Sequence, residues 1–511
     1  MGIPYYFYSL TQKYNNILAN TLPANPDIYC IDFNGIIHTI AQDIMKTHAD
    51  DIDNKIIEAV WNKIEYYIET IKEKKYIICA DGVAPLAKMV QQRKRRYLSI
   101  FRDKLDNTKS VWDTNAITPG TLFMQNLNTY IKKQIRYNSH NTTILYSGSD
   151  ENGEGEHKIF DKLILESDDD TIIINGLDAD LIILSLISHK KNIYLMRENK
   201  DHITQKVVCN YLNIHELRKA IITELTVSWN ILDGHHDIHS DISNDLIETY
   251  CVGCSILGND FIPHLLTVDL KADGIDKLMK SIKTACTNHG LLIKNGSINH
   301  ACLTDIFLDL AKSEDTDIHT MCGKNIKKRV PDHSIVPSDY YAIKNKEILA
   351  NYIYNNPAKW RHEYYKALFD SNITLCSTVL FHSCQNYVKG IYWTYSYYKK
   401  KGLDYDWYYP YTYPPTIKDI ANHAVANPCP EIIKKGSFVP SYIQLLVVLP
   451  KESKHLVKKE HQKYMDSIYA GLYHMYPDKY KIQTFLKTHL WESSPILPSI
   501  NIQYIQRVLS L

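Results

Sequence analysis

Seven carboxylates in this chain stand in short motifs suited to metal chemistry. They are Asp32 in Asp-Phe-Asn-Gly-Ile-Ile-His, Asp81 in Ala-Asp-Gly-Val-Ala-Pro, Glu154 and Glu156 in Gly-Glu-Gly-Glu-His-Lys, Asp178 and Asp180 in Gly-Leu-Asp-Ala-Asp-Leu, and Asp260 in Gly-Asn-Asp-Phe-Ile-Pro. Like charges gathered within a few ångströms raise one another's pKa and partly neutralise. Hard divalent cations relieve that repulsion. Mg²⁺ keeps several of its waters and takes only one or two protein carboxylates, so a site for two Mg²⁺ or Mn²⁺ ions needs several acids, some acting through water. Such a pair of ions can activate water and stabilise the attacking and leaving oxygens of a displacement at phosphorus.

A basic run follows Asp81. Lys88, Gln92 and Arg95 or Arg96 fall at i, i+4 and i+7 or i+8, so on a helix they share one face and can converge on one anion, while Arg93 and Lys94 point elsewhere. Read alone, Arg93-Lys94-Arg95-Arg96 also fits a solvated basic face or a nuclear-import tetrad. Beside the acids it suggests a phosphate pocket and work on a phosphodiester. Other charged clusters read differently. Asp168-Asp169-Asp170 suits a solvated turn, and His235, His236 and His239 with Asp233, Asp237 and Asp241 lack regular ligand spacing.

The elements that must position these groups are legible. Four β-forming apolar runs, Tyr29 to Asp32, Tyr76 to Asp81, Thr143 to Ser147 and Thr171 to Asn175, end in acidic or turn residues, with helical patterns at Asn54 to Lys72 and Thr121 to Gln134 between them. That alternation predicts an α/β fold with a mainly parallel sheet, whose ligands gather at the carboxyl ends of the strands. A polar stretch over 313–338, with Lys324 to Arg329 inside it, reads as a linker between a core of 1–312 and a second region of 339–511. The second region is aromatic, with Tyr352, Trp360, Tyr364, Trp393 and Trp407 to Tyr413. A packed helical layer and base stacking both account for that composition.

At 511 residues and 45% hydrophobic, the chain can bury a large core, and its formal charge of +1 means that nucleic-acid binding must come from local segregation of charge. Eleven scattered cysteines with one close pair, Cys251 and Cys254, read as reduced thiols in a core helix and not as a zinc site. Met1-Gly2-Ile3-Pro4-Tyr5-Tyr6 carries no secretory core, and no run is long and apolar enough to span a bilayer. A soluble intracellular protein without a membrane partner is expected.

These segments resemble the Xrn family of 5′→3′ exoribonucleases. The motifs that carry the resemblance are Met1 to Pro4, Asp81 to Arg96, Ile117 to Thr121, Gly153 to Ile159, Gly176 to Leu181, Gly258 to His264, Gly390 to Trp393, Trp407 to Tyr413, Gln444 to Pro450 and Leu490 to Pro498. The resemblance implies a Rossmann-like nuclease core of the PIN and flap-endonuclease type, with a largely helical second region that wraps it and turns the site into a pocket. It further implies that the seven acids bind two Mg²⁺ ions and that Lys88, Gln92, Arg95 and Arg96 hold the 5′ monophosphate of single-stranded RNA. His38 and Trp393 would stack on the terminal base. Lys94, and Glu151-Asn152, depart from the family pattern but leave the acids intact. The chain ends where the second region ends, so a compact form without further C-terminal domains is expected; a monomer, and the cytoplasm more than the nucleus, are expected besides. A flap or DNA 5′ nuclease on the same core, and a catalytically silent RNA-binding scaffold, are the rival readings.

Overall fold

The structure is a computed structural model. It describes residues 5–23, 26–47, 50–108, 110–137, 142–176, 178–200, 207–226, 240–331, 336–346, 348–371, 377–427, 430 and 434–510. The motif residues Met1 to Pro4, Leu177 and the loop holding Asp233, His235, His236, Asp237 and His239 lie outside the described residues. The chain forms two compact units, each discontinuous in sequence: the first is Met1–Pro85, Ser110–Cys251 and Ser437–Gln462, and the second is Leu86–Lys109, Val252–Gly436 and Lys463–Leu511. The division expected from sequence, core then linker then second region, is not how the units are built, because each draws on distant parts of the chain.

The first unit is organised by a seven-stranded sheet. Its strands are β1 (Leu18–Ala19), β2 (Ile28–Asp32), β3 (Lys75–Cys79), β4 (Thr143–Ser147), β5 (Thr171–Asn175), β6 (Asn192–Lys200) and β7 (Val207–Asn213), in the order β1-β7-β6-β5-β2-β3-β4. The pairs β5–β6, β5–β2, β2–β3 and β3–β4 are parallel, and β7 runs antiparallel to β6 and β1. The central strands are apolar throughout, as a parallel sheet covered on both faces requires: Ile28 to Ile31 and Ile172 to Ile174 are buried. The helices Phe33–Met45, Ile52–Ile71 and Leu122–Tyr137 contribute Ile37, Ile64 and Leu127 to the core on these strands. The α/β class and the four sequence-read strands stand, and β1, β6 and β7 are additions.

The second unit is largely helical. Its core joins Trp360, Tyr364 and Tyr365 with Leu349, Ile353, Tyr413 and Phe485. Ile318 and Cys322 belong to the same core, because the stretch read as a linker begins with a helix, Glu314–Lys327. Most of its charged residues face outward, although Glu314 and Asn325 are buried, and they hid an amphipathic pattern. The aromatic excess is thus mostly packing: Tyr364, Tyr365 and Tyr387 are fully buried. Nine cysteines among the described residues are free, and Cys251 and Cys254 are buried in and at the end of the Asp241–Cys254 helix. No helix among the described residues is long and apolar enough to cross a membrane.

Candidate active site

In the first unit, strand ends and helix starts gather six of the seven acids. Asp32 closes β2 and stands at the N-cap position of the Phe33–Met45 helix, and Asp81 follows β3. Glu154 is the N-cap of the Gly155–Leu163 helix with Glu156 in its first turn, and Asp178 and Asp180 stand in the same way on the Ala179–Ile187 helix. Carboxylates at helix N-termini meet unpaired N–H groups and the positive end of the helix dipole, worth about 0.3–1 kcal/mol each at exposed positions. Glu154 and Asp180 are buried there, and Asp178 is exposed.

Gly155 shows how closely the two strand-end acids converge. A Cβ at this position would lie 2.8 Å from the Cys79 carbonyl, 3.1 Å from Asp32 Oδ1 and 3.4 Å from Asp81 Oδ1. Its amide also donates to Asp81 Oδ1 at 2.7 Å. Asp32 borders Gly176 too, where a Cβ would stand 3.6 Å from the Asp32 Cβ, so the loop leading to Asp178 runs beside it. One helix N-terminus therefore receives Asp32 and Asp81 together.

Sequence reading missed the residues that fix this end of the sheet. Asn34 Nδ2 donates to Asp81 Oδ2 at 3.0 Å, and Asn34 Oδ1 accepts from the Asp81 amide at 2.9 Å. The buried Lys158 ammonium donates to the carbonyls of Ala80 at 2.8 Å and Gly148 at 2.7 Å, tying the loops after β3 and β4. Burial lowers its pKa, opposed by nearby Cys79, Glu151 and Asp81. Gly82 interlocks these loops, since a Cβ there would sit 1.7 Å from the Glu151 carbonyl oxygen. Gln444 accepts the Ala84 amide at 3.0 Å. Asn34 and Lys158 lie inside the quoted motifs, and that position was the available signal. His38, partly exposed, follows Asn34 by one turn on the same helix face.

The second unit holds the cations and the seventh acid. Lys88, Gln92, Arg95 and Arg96 lie on the Leu86–Leu105 helix, with Arg95 exposed and Gln92 Oε1 buried without a hydrogen-bond partner. Lys88 pairs with Asp260 at 2.8 Å, and the Asp260 side chain is only 3% exposed. Burial raises the Asp260 pKa, but the charge and hydrogen bond of Lys88, aided by Arg95, hold it well below the usual carboxylate range. Asn259 shapes this loop by accepting the amides of Phe261 and Ile262 at 2.9 and 3.0 Å. Asp260 is thus placed with the cations, because its loop belongs to the unit that carries them.

Arg93 does point away from that face, and it is buried. It donates to the carbonyls of Pro498, at 2.8 Å, and Met475, and its guanidinium lies over the Tyr97 ring at 5.4 Å. Trp393 is also corrected. It is fully buried, with Tyr397 stacked on it at 5.2 Å, Trp407 at 5.0 Å and Phe261 edge-on at 4.8 Å, while its N–H donates to the Asp404 carbonyl. No face is open to a base. A tryptophan in a helix of tyrosines packs before it binds, and through Phe261 this one supports the Asp260 loop.

Among the described residues, no three His, Cys, Asp or Glu side chains form a ready-made metal cage. The donor set nonetheless fits Mg²⁺, which favours oxygen ligands and keeps several waters, so a close protein cage is not required. Asp32 and Asp81 at the Gly155 amide, with the four acids on two helix N-termini, are the residues that would hold it.

Carboxylates at the ends of a parallel α/β sheet, with a helical unit bearing a basic helix, are the architecture of a nuclease-type fold. Family models agree: residues 1–199 match the XRN 5′-3′ exonuclease N-terminus and residues 342–509 the Xrn1 helical domain. The chain belongs to the Xrn family. It is similar to 5′-3′ exoribonuclease 1 of Homo sapiens, 27% identical over 584 residues that cover 98% of this chain and 33% of that protein. The corresponding figures for 5′-3′ exoribonuclease 1 of Schizosaccharomyces pombe are 25% over 657 residues, 98% and 48%, and for 5′-3′ exoribonuclease 2 of Gallus gallus 25% over 676 residues, 100% and 70%. The chain therefore spans a third to a half of the first two relatives and more of the third.

Proposed function

We propose that this protein is a divalent-metal-dependent 5′→3′ exoribonuclease that removes nucleoside 5′-monophosphates one at a time from single-stranded RNA bearing a 5′ monophosphate. The observation that carries the reading is the convergence of Asp32 and Asp81 on the Gly155 N-terminus, with Glu154, Glu156, Asp178 and Asp180 beside strand ends. These acids would hold two Mg²⁺ ions, which would supply activation of the attacking water and stabilisation of charge on the reacting phosphate. Asn34 and the Gly155 amide orient Asp81, and Lys158 holds the loop that carries it.

Lys88, Gln92, Arg95 and Arg96 take the terminal phosphate. Asp260 keeps the Lys88 ammonium in place. A compact set of this kind suits a monophosphate better than a triphosphate or a cap, and His38 offers a partly exposed ring to the terminal base. The match of residues 342–509 to the Xrn1 helical domain favours this reading over a flap nuclease.

The test compares RNAs with 5′-monophosphate and 5′-hydroxyl ends in Mg²⁺. The monophosphate is expected to be degraded faster, and Arg95→Ala to shrink that preference by about 1.5–3 kcal/mol, the worth of a charge-assisted hydrogen bond. Equal degradation of both ends by the wild type would refute end recognition.

A further inference from the structure

Leu490-Trp491-Glu492 has no part in the chemistry above, yet the second unit builds a surface around it. Trp491 is 46% exposed. Its ring lies parallel to His489, at 5.9 Å and 11°, and His489 lies 4.7 Å from Tyr340, so three rings form a continuous strip. The strip is held rigid. Glu492 Oε2 accepts the amides of Thr488, at 2.7 Å, and His489, at 3.2 Å, while Oε1 binds the Lys271 ammonium, which also lies 5.7 Å from the Trp491 ring centroid.

Cations border the strip. Lys328 Nζ donates to Thr488 Oγ1 at 3.0 Å, next to His489. Lys346 Nζ donates to the Ile326 and Lys328 carbonyls at 3.0 and 2.7 Å. Lys324, Lys327, Lys328 and Arg329 are exposed, and among the described residues none of them, nor Lys346, pairs with a carboxylate. The repulsion is felt: burial first, then Arg329 and Lys328, lowers the Lys346 pKa. Unneutralised cations next to a ring strip with one exposed ring, Trp491, and two half-buried ones are the combination that binds single-stranded nucleic acid, the charges tracking phosphates and the rings taking base faces. The turn Leu490–Glu492 also packs against the Leu86–Leu105 helix that carries Lys88 and Arg95, so strip and phosphate-binding face share a support.

We propose that Tyr340, His489 and Trp491, flanked by Lys324 to Arg329, form a stacking platform for bases of single-stranded RNA, separate from the residues that grip its 5′ end. The proposal rests on the exoribonuclease reading. Its test measures binding by fluorescence anisotropy on an Asp180→Asn background, using a 5′-phosphorylated RNA of about 15 nucleotides and the same strand with abasic sites after its first nucleotide.

Trp491→Ala is expected to weaken binding of the base-bearing strand roughly 5- to 100-fold and to leave the abasic strand unchanged, with Trp491→Phe keeping most of the affinity. Lys324→Glu with Lys327→Glu should weaken both strands and flatten the salt dependence. Unchanged affinity of Trp491→Ala for the base-bearing strand overturns the platform, as does an equal loss on both strands; the first result is also what a protein partner on this surface would give. If wild type degrades RNA while Trp491→Ala binds like its parent, only the platform fails. If the Asp180→Asn parent binds neither strand, the exoribonuclease reading fails with it.

Discussion

The two units handle charge in opposite ways. In the first, carboxylates are collected by topology: neighbouring parallel strands end at the same edge, and helix N-termini there supply N–H groups and partial positive charge. Asp81 is held by Asn34 and the Gly155 amide, neutral partners that leave its charge for another ligand. In the second, cations are presented by one helix and positioned by full partners, Asp260 for Lys88 and two distant carbonyls for Arg93. Neutral partners preserve a net field for a metal, whereas an ion pair and a buried clamp fix geometry and spend the charge locally.

The contrast breaks most visibly at the acids proposed to hold metal. Asp178→Asn or Asp180→Asn removes charge from a helix N-terminus and should lower cleavage on the order of 10²–10⁴-fold, several kcal/mol of charge stabilisation, while RNA binding persists. Full activity in Mg²⁺ would remove these residues from the site. Next in size, Arg93→Met leaves a buried carbonyl, Met475, and a half-buried one, Pro498, without a donor and should cost about 2–5 kcal/mol of stability, read by denaturant unfolding. A loss of 5′-end preference without a loss of stability would show instead that Arg93 touches substrate.

Glu314 probes a carboxylate of the second unit placed like those of the first. It accepts the amides of Ile417 and Lys418 at the start of the Ile417–Ala426 helix, at 2.6 and 3.0 Å, yet burial, with Asp419 and Asp315 adding to it, raises its pKa to about 7 against the pull of those amides. Because the folded value lies above the ordinary 4.5, its stabilising contribution is complete below pH 4.5 and is lost as pH rises through about 7. The stability gap between wild type and Glu314→Gln should therefore narrow by up to about 3 kcal/mol over that window. A gap independent of pH would mean that Glu314 is ionised without cost. The smallest effect is expected at Asn34→Ala, a loss of roughly 10- to 100-fold in activity or Mg²⁺ affinity, as for other residues that orient a metal ligand. Recovery at raised Mg²⁺ would place the defect in ion binding, and a defect that Mg²⁺ does not change would place it in the fold.

Much of this was legible because parallel-sheet chemistry is local in sequence: an apolar run ending in an acid, as at Asp32, Asp81 and Asp178, reports both strand and site. The helical spacing of Lys88, Gln92 and Arg95 was equally readable, and so was the outward turn of Arg93. Its burial was not, because Met475 and Pro498 lie some four hundred residues along the chain. The Glu314–Lys327 helix escaped notice because its few apolar positions are diluted by charge. The stacking role of Trp393 was implied by the resemblance alone, and which of its faces is open depends on the rings packed against it.

The sequence by itself determined the family, the central strands, the acid inventory and the basic helix face, since each is encoded within a few residues by residue type and period. Only the tertiary structure decided that the units interleave along the chain, that Asp260 is the partner of Lys88, that Trp393 is core, and that Asn34 and Lys158 hold the loops after β3 and β4. These depend on contacts between residues far apart in the chain, where close packing and hydrogen-bond satisfaction, and not local propensity, choose the partner.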